Sequence, residues 1–374
     1  MSASFRQVWV LPGVWADAPE SEEVWARPRP GLEFFSGRAE LFRLHSHRGD
    51  PRAWVGLPGG SALAAGPLMV AALGLEPPSR SVHYWLSLMS ADESGRLHTP
   101  ETIRLDPPTR AAIEDAMARL ATRRLHPRFG IEADHALVIE QGSLDVGTAE
   151  PEKVTGQFWF DHRPEGDDER PLRTLIDDSL NLLDGLEFNR RRADEGLPKL
   201  NLLWPWGPGF PPEMPNLALR RGEIAEVHGG EGSRGRLQLK GICHWVGYRF
   251  EPGGAWPGGA YPARGSWARF LTQSAPQVVV MPHAAAMTEA RRWDVLADFL
   301  DDLDRELLQP LASRPADDLP EFTLLFPDDQ EGLGLRFGPG WREDRGWEFS
   351  PALRGESRLP LRYAHELVHQ ALAP

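Results

Sequence analysis

The stretch Asn189–Gly209 reads NRRRADEGLPKLNLLWPWGPG, with three arginines, two asparagines, two tryptophans and three glycines. Before it, Leu172, Leu175, Ile176, Ser179, Leu180 and Leu183 recur at helical spacing and predict an amphipathic helix. Glu195-Gly196-Leu197-Pro198 turns the chain, and Leu200–Trp204 reads as a buried strand. Gly207-Pro208-Gly209 then opens a loop at the carboxyl end of that strand, where open α/β sheets bind ligands. The same alternation predicts strands at Ile224–Val227, Gln277–Met281 and Phe322–Phe326. Helices are predicted at Asp177–Leu186, Leu239–Val246, Ser266–Gln273, Trp293–Gln309 and Leu361–Ala373. In the long helix, Leu296, Leu300, Leu303 and Leu307 form the apolar face. Asp298, Asp301, Asp302 and Asp304 are read as its solvated side.

At 374 residues the chain exceeds one comfortable core, so a large domain with a smaller companion is expected. Upstream, Arg6–Leu11 predicts a first strand, and a helix is expected to begin at Ser61. Between Ser79 and Pro171 the composition changes to two or three strands (His83–Met89, Ala136–Ile139, Gln157–Phe160) and one helix (Pro108–Leu125). This reads as a small α+β insert. The expected division is 1–78 with 172–374 as the core and 79–171 as an inserted, lid-like domain.

The formal net charge of −13 argues against nucleic acid and anionic membrane as partners. An anionic metabolite needs a local basic site, for which Arg190-Arg191-Arg192 is the candidate. The single cysteine, Cys243, excludes an internal disulfide and a cysteine-built zinc site. No signal-peptide pattern opens the sequence and no apolar run reaches the roughly 20 residues a bilayer needs. The expected location is the cytoplasm.

The order Asn189, Arg191-Arg192, Glu195-Gly196, Pro198, Asn201, Gly207 and Gly209 resembles a block of the archaeal-type, cofactor-independent phosphoglycerate mutases of the alkaline phosphatase superfamily. Leu57-Pro58-Gly59-Gly60-Ser61 and Leu73-Gly74-Leu75-Glu76-Pro77 are similar to further family segments. The resemblance implies an alkaline-phosphatase-like mixed sheet sandwiched by helices, with the small α+β insert. It places a phosphoryl-accepting serine at Ser61 and substrate contacts at Asn189, Arg191 and Asn201, for a phosphoglycerate-like anion. Family members hold two divalent ions with carboxylates and histidines, and here the resemblance breaks. Pro12 replaces the first carboxylate, Ala62 follows Ser61 in place of an aspartate, and Arg292 lies near an expected histidine. Asp328 and His283 are the surviving metal-ligand candidates, with Asp329 beside the first.

A two-metal centre needs roughly six or seven protein ligands, so this sequence implies a degraded site on an intact scaffold. The expected function is a non-catalytic or regulatory binder of an anionic metabolite or of a protein partner, with no cofactor. The alternative is an active mutase or phosphatase using Ser61 with Mn, Mg, Co or Zn. A second alternative lies at the C-terminus, where His365-Glu366-Leu367-Val368-His369 spells H-E-x-x-H, a zinc-hydrolase pattern on a helix. No third ligand follows it, and a packing helix is the preferred reading. Gly229–Gly235 is glycine-rich but lacks the lysine of a phosphate loop.

Overall fold

The computed structural model describes residues 6–12, 14, 21–45, 51–59, 62–99, 103, 105–229, 232–251, 276–281, 283–315, 319, 321–328, 332–338, 353, 356 and 358–372. They fall into two compact units, Met1–Gly60 with Pro215–Pro374, and Ser61–Met214. The expected insert, 79–171, falls within the second of these units, which also takes in Asn189–Gly209.

Strand β1 (Arg6–Val10) opens the first unit, followed by helices α1 (Ser21–Trp25) and α2 (Pro30–Arg38) and strand β2 (Glu40–His45). The second unit holds α3 (Ala65–Ala72), β3 (Ser81–Ala91), β4 (Leu97–His98), α4 (Pro107–Leu120), β5 (Leu125–Ile131) and β6 (Asp134–Glu140). It continues through β7 (Val146–Gly147), α5 (Pro151–Val154), β8 (Glu165–Gly166), α6 (Glu169–Asp184), α7 (Glu187–Asp194) and β9 (Leu202–Gly209). The first unit resumes with α8 (Leu217–Arg221), β10 (Glu226–Gly229), α9 (Gly232–Val246), β11 (Arg249–Glu251), β12 (Gln277–Val280) and α10 (His283–Glu289). It ends with α11 (Trp293–Leu303), a π-helical turn (Asp304–Leu308), α12 (Gln309–Ala312), β13 (Glu321–Phe326), β14 (Gly332–Phe337), β15 (Leu361–Tyr363) and α13 (Ala364–Ala371).

The first unit is built on a mixed sheet in the order β11-β10-β12-β1-β13-β14-β2-β15, flanked by helices. The strands from β11 to β13 run parallel, and β14 is antiparallel to both its neighbours. Strands β1 and β12 are buried along their whole length, as short apolar runs in parallel sheets require. Their two amides meet in register, with Gln7 Nε2 donating to Gln277 Oε1 at 2.8 Å. Trp9, Phe35, Phe299, Phe322 and Phe326 fill the core on one side.

In the second unit β3 is the spine, pairing antiparallel with β6 and with β9. Its alternation puts Val82, Tyr84, Leu86 and Leu88 against Ile113, Met117, Leu172 and Leu175 of α4 and α6. Pro108–Leu125 is not one helix, because α4 stops at Leu120 and Leu125 begins strand β5. Gln157–Phe160 is no strand, since Trp159–His162 forms a 3-10 turn. The strand after the basic run does not end at Trp204 in a glycine loop. It continues to Gly209 as an antiparallel partner of β3 rather than joining the parallel sheet. The predicted helix Ser266–Gln273 lies outside the described residues.

Candidate functional site

The adjacent parallel strands β10, β12, β1 and β13 present their carboxyl ends along one edge of the first sheet. Register fixes the alignment, with Gly229 opposite Val280, Val280 opposite Val10 and Val10 opposite Leu325. Beyond the last pairs the chain stays bonded, Met281 N donating to Val10 O at 2.8 Å and Leu11 N to Leu325 O at 2.9 Å. Three sequence-predicted positions thereby come to one edge. Pro12 follows β1 and is buried, Asp328 follows β13 and is half-buried, and His283 begins α10 directly after β12. Ser61 and Asp329 lie outside the described residues, as does the side chain of His283. Gly229 sits on the same edge at φ +95°, and an added Cβ there would lie 1.8 Å from Val280 O, so no other residue fits.

The three residues predicted to touch substrate are all in the second unit. Asn189 is fully buried, with Nδ2 donating to Leu183 O and Leu200 O at 2.9 Å each. Leu200 N donates to its Oδ1 at 2.7 Å, so the amide is spent on the backbone. Asn201 is spent in the same way. Its Oδ1 accepts from Ala91 N at 2.8 Å and its Nδ2 donates to Ala91 O at 3.1 Å and Asp184 Oδ1 at 3.2 Å. These two asparagines clamp the start of β9 to α7 and to the end of β3. Arg191 is exposed on α7, with Nη2 3.8 Å from the Asp106 carboxylate. Arg190 donates to Glu187 and Gly185 O, and Arg192 to Pro198 O.

The glycines of the block also have a packing role. An added Cβ at Gly207 would come within 2.7 Å of Ala65 Cβ, and one at Gly209 within 2.4 Å of Ala64 Cβ. Gly66 answers from the helix, where a Cβ would meet His83 O at 2.1 Å. The start of α3, four residues after Ser61, is thus seated directly on β3 and β9. Gly66 escaped the sequence reading, although a glycine inside an apolar helix is a standing signal of close approach. A cavity of about 280 Å³ opens in this unit beside Arg123, Arg124, Asp168 and Pro171, and no predicted site residue lines it.

No family model matches the chain. Over 215 residues it is 25% identical to the probable 2,3-bisphosphoglycerate-independent phosphoglycerate mutase of Geobacter sulfurreducens, covering 53% of this chain and 50% of that one. A 113-residue stretch is 34% identical to the 2,3-bisphosphoglycerate-independent phosphoglycerate mutase of Methanothrix thermoacetophila, covering 30% of this chain and 28% of that one. The matched part thus spans half or less of these relatives' length. The solved cofactor-independent phosphoglycerate mutase of Thermoplasma acidophilum shares the fold over 99% of this chain and 100% of its own, with TM-score 0.64 and 17% identity. The PH0037 protein of Pyrococcus horikoshii does so over 99% and 97%, with TM-score 0.69 and 13% identity. This chain is a divergent relative of the cofactor-independent phosphoglycerate mutases.

Pro12 stands where the resemblance puts a carboxylate, and a pyrrolidine ring has no donor for a cation. Among the described residues, no three His, Cys, Asp or Glu side chains are grouped to hold a metal ion. The H-E-x-x-H pattern does lie on a helix, α13, but its second histidine is committed otherwise. Arg221 Nη2 is 2.7 Å from His369 Nδ1. Arginine only donates, so Nδ1 accepts and the ring proton sits on Nε2. A zinc-bound imidazole needs the opposite arrangement, with its second nitrogen donating to an acceptor. Leu367, Val368 and Ala371 of α13 are buried, as the preferred packing-helix reading expects. Among the described residues no helix is long and apolar enough to cross a membrane.

Proposed function

We propose that this mutase relative keeps the scaffold, has lost phosphoryl-transfer turnover, and acts by binding an anionic metabolite of the phosphoglycerate class or a partner protein. The observation that carries the reading is Pro12, buried at the carboxyl end of β1 between the strands that lead to His283 and Asp328. Ala62 after Ser61, and Arg292 near an expected histidine, support it. Each removes a ligand or adds a like charge where a divalent ion would be held.

The test is metal analysis of the purified protein together with a mutase assay in added manganese, magnesium, cobalt or zinc. The expected result is no stoichiometric divalent ion and no turnover above background, since loss of metal clamps costs many decades of rate. A second reading, an active mutase or phosphatase on a rearranged site, draws support from His283 and Asp328 sharing one edge. Metal-dependent turnover that vanishes in Ser61→Ala would establish it and overturn the first.

A further inference from the structure

Arg221, the last residue of α8, ties two other elements to its own. Its Nη1 donates to the Tyr248 hydroxyl, whose ring the guanidinium faces at 5.7 Å, and its Nη2 to His369 Nδ1 at 2.7 Å. Tyr248 sits at the corner between α9 and β11, where Gly247 takes φ +77° and Tyr248 N donates to Cys243 O at 2.9 Å. Beside α13, Gly56 at φ +77° closes the 3-10 turn Ala53–Val55. It lies so near that an added Cβ would come within 3.0 Å of His369 N and Cα. The backbone at His369 is therefore held while its ring points at a cation. A second proton on this ring would have to go to Nδ1. There it would set N–H against N–H, and one positive charge against another, at the point of contact.

We propose that His369 and Arg221 form a proton-released latch, which holds the C-terminal helix on α8 while His369 is neutral and lets it go when the ring is protonated. The charged groups around the helix are of both signs. On α13 itself are His365 and the exposed Glu366, and Arg52 precedes the Ala53–Val55 turn. From β14 comes Arg336, paired with Glu321 of β13 and 3.5 Å from Gln370 Oε1. Arg362 of β15 is paired with Glu40, and Arg6 of β1 with Glu223. Burial first, then Arg221 and His365, hold the His369 imidazole below its ordinary range. In the unfolded or released helix it titrates near 6.5, so the tie is complete above that pH and is lost as pH falls through the lower, latched value.

Hydrogen exchange of α13 at pH 7.5 and 5.0, corrected for intrinsic rates and referred to α11, tests this. In the native protein the α13 amides are expected to exchange about tenfold faster at pH 5.0, the loss of one charge-assisted hydrogen bond. His369→Asn keeps an acceptor that cannot take a proton and is expected to hold the change to less than about twofold. Equal protection at both pH values in the native protein, or an equal loss in His369→Asn, overturns the latch. If that variant does not fold, the ring of His369 is titrated by NMR in the native protein and in Arg221→Gln. The expected result is an apparent pKa below 6.5 that rises when the guanidinium is removed, and an unmoved value overturns the proposal.

Discussion

Asn189 satisfies the buried main chain of Leu200 at both N and O, and adds a bond to Leu183 O, which also accepts from Leu186 N at 3.1 Å. Asn189→Ala should therefore destabilise the protein by about 2–4 kcal/mol, read as a lower urea midpoint at unchanged slope. A loss under about 1 kcal/mol would show that the clamp is dispensable. Arg191 is the opposite case, since its neighbours Arg190 and Arg192 are held by main-chain carbonyls while it has only a long, half-exposed pairing with Asp106. If the protein binds 3-phosphoglycerate or inorganic phosphate through this run, calorimetry on Arg191→Ala should show binding weaker by about 1.5–3 kcal/mol. Arg190→Ala should leave it intact. Unchanged binding in Arg191→Ala would move the proposal to the partner-protein side. The residue types of this stretch are legible in the sequence. Which of them spend their polar atoms on the backbone is not, because Asn201 and Ala91 meet across 110 residues.

Helix α2 shows how an element depends on a side chain that sequence reading assigns to water. Asp304 is buried, and its carboxylate accepts from Leu32 N at 2.6 Å, Gly31 N at 3.2 Å and Gln309 Nε2 at 2.8 Å. It caps the start of α2 from another helix, so close that a Cβ on Gly31 would lie 2.7 Å from Gln309 N. The signal was present, since Asp304 falls four residues after Leu300 and so on the apolar face, where an acid needs a specific partner. Asp304→Ala should leave those N–H groups unpaired and cost about 2–3 kcal/mol of stability in denaturant unfolding. Asp298→Ala, on an exposed pair with Arg27, should cost no more than about 0.5 kcal/mol and serves as the control. Equal effects of the two substitutions would refute the cap.

For the whole molecule, acid stability follows from two buried histidines of the second unit. Burial lowers His83 from 6.5 to about 4 and His135 to about 3. His135 accepts from Gly130 N at 3.1 Å and lies against Phe129. A ring of this kind takes its proton first in the unfolded chain, so stability is full above pH 6.5 and falls as pH drops toward those values. Each group contributes up to about 1.4 kcal/mol per pH unit in that window. Urea midpoints should fall between pH 7.5 and 5.0, and fall less in His135→Asn, whose stability at pH 7.5 is lower from lost packing. An unchanged pH dependence in that variant would show that His135 does not carry the effect. The α/β class, the strands at Gln277 and Phe322, the family resemblance and the proline at position 12 are legible in the residues alone, because residue identity and apolar periodicity are local properties. Long-range packing sets the antiparallel pairing of Leu202–Gly209 with β3 in place of entry into the parallel sheet. It also brings Pro12, His283 and Asp328 to one edge. An apolar strand reads the same in either sheet, and its partner is chosen by hydrogen bonds and packing to residues more than a hundred positions away.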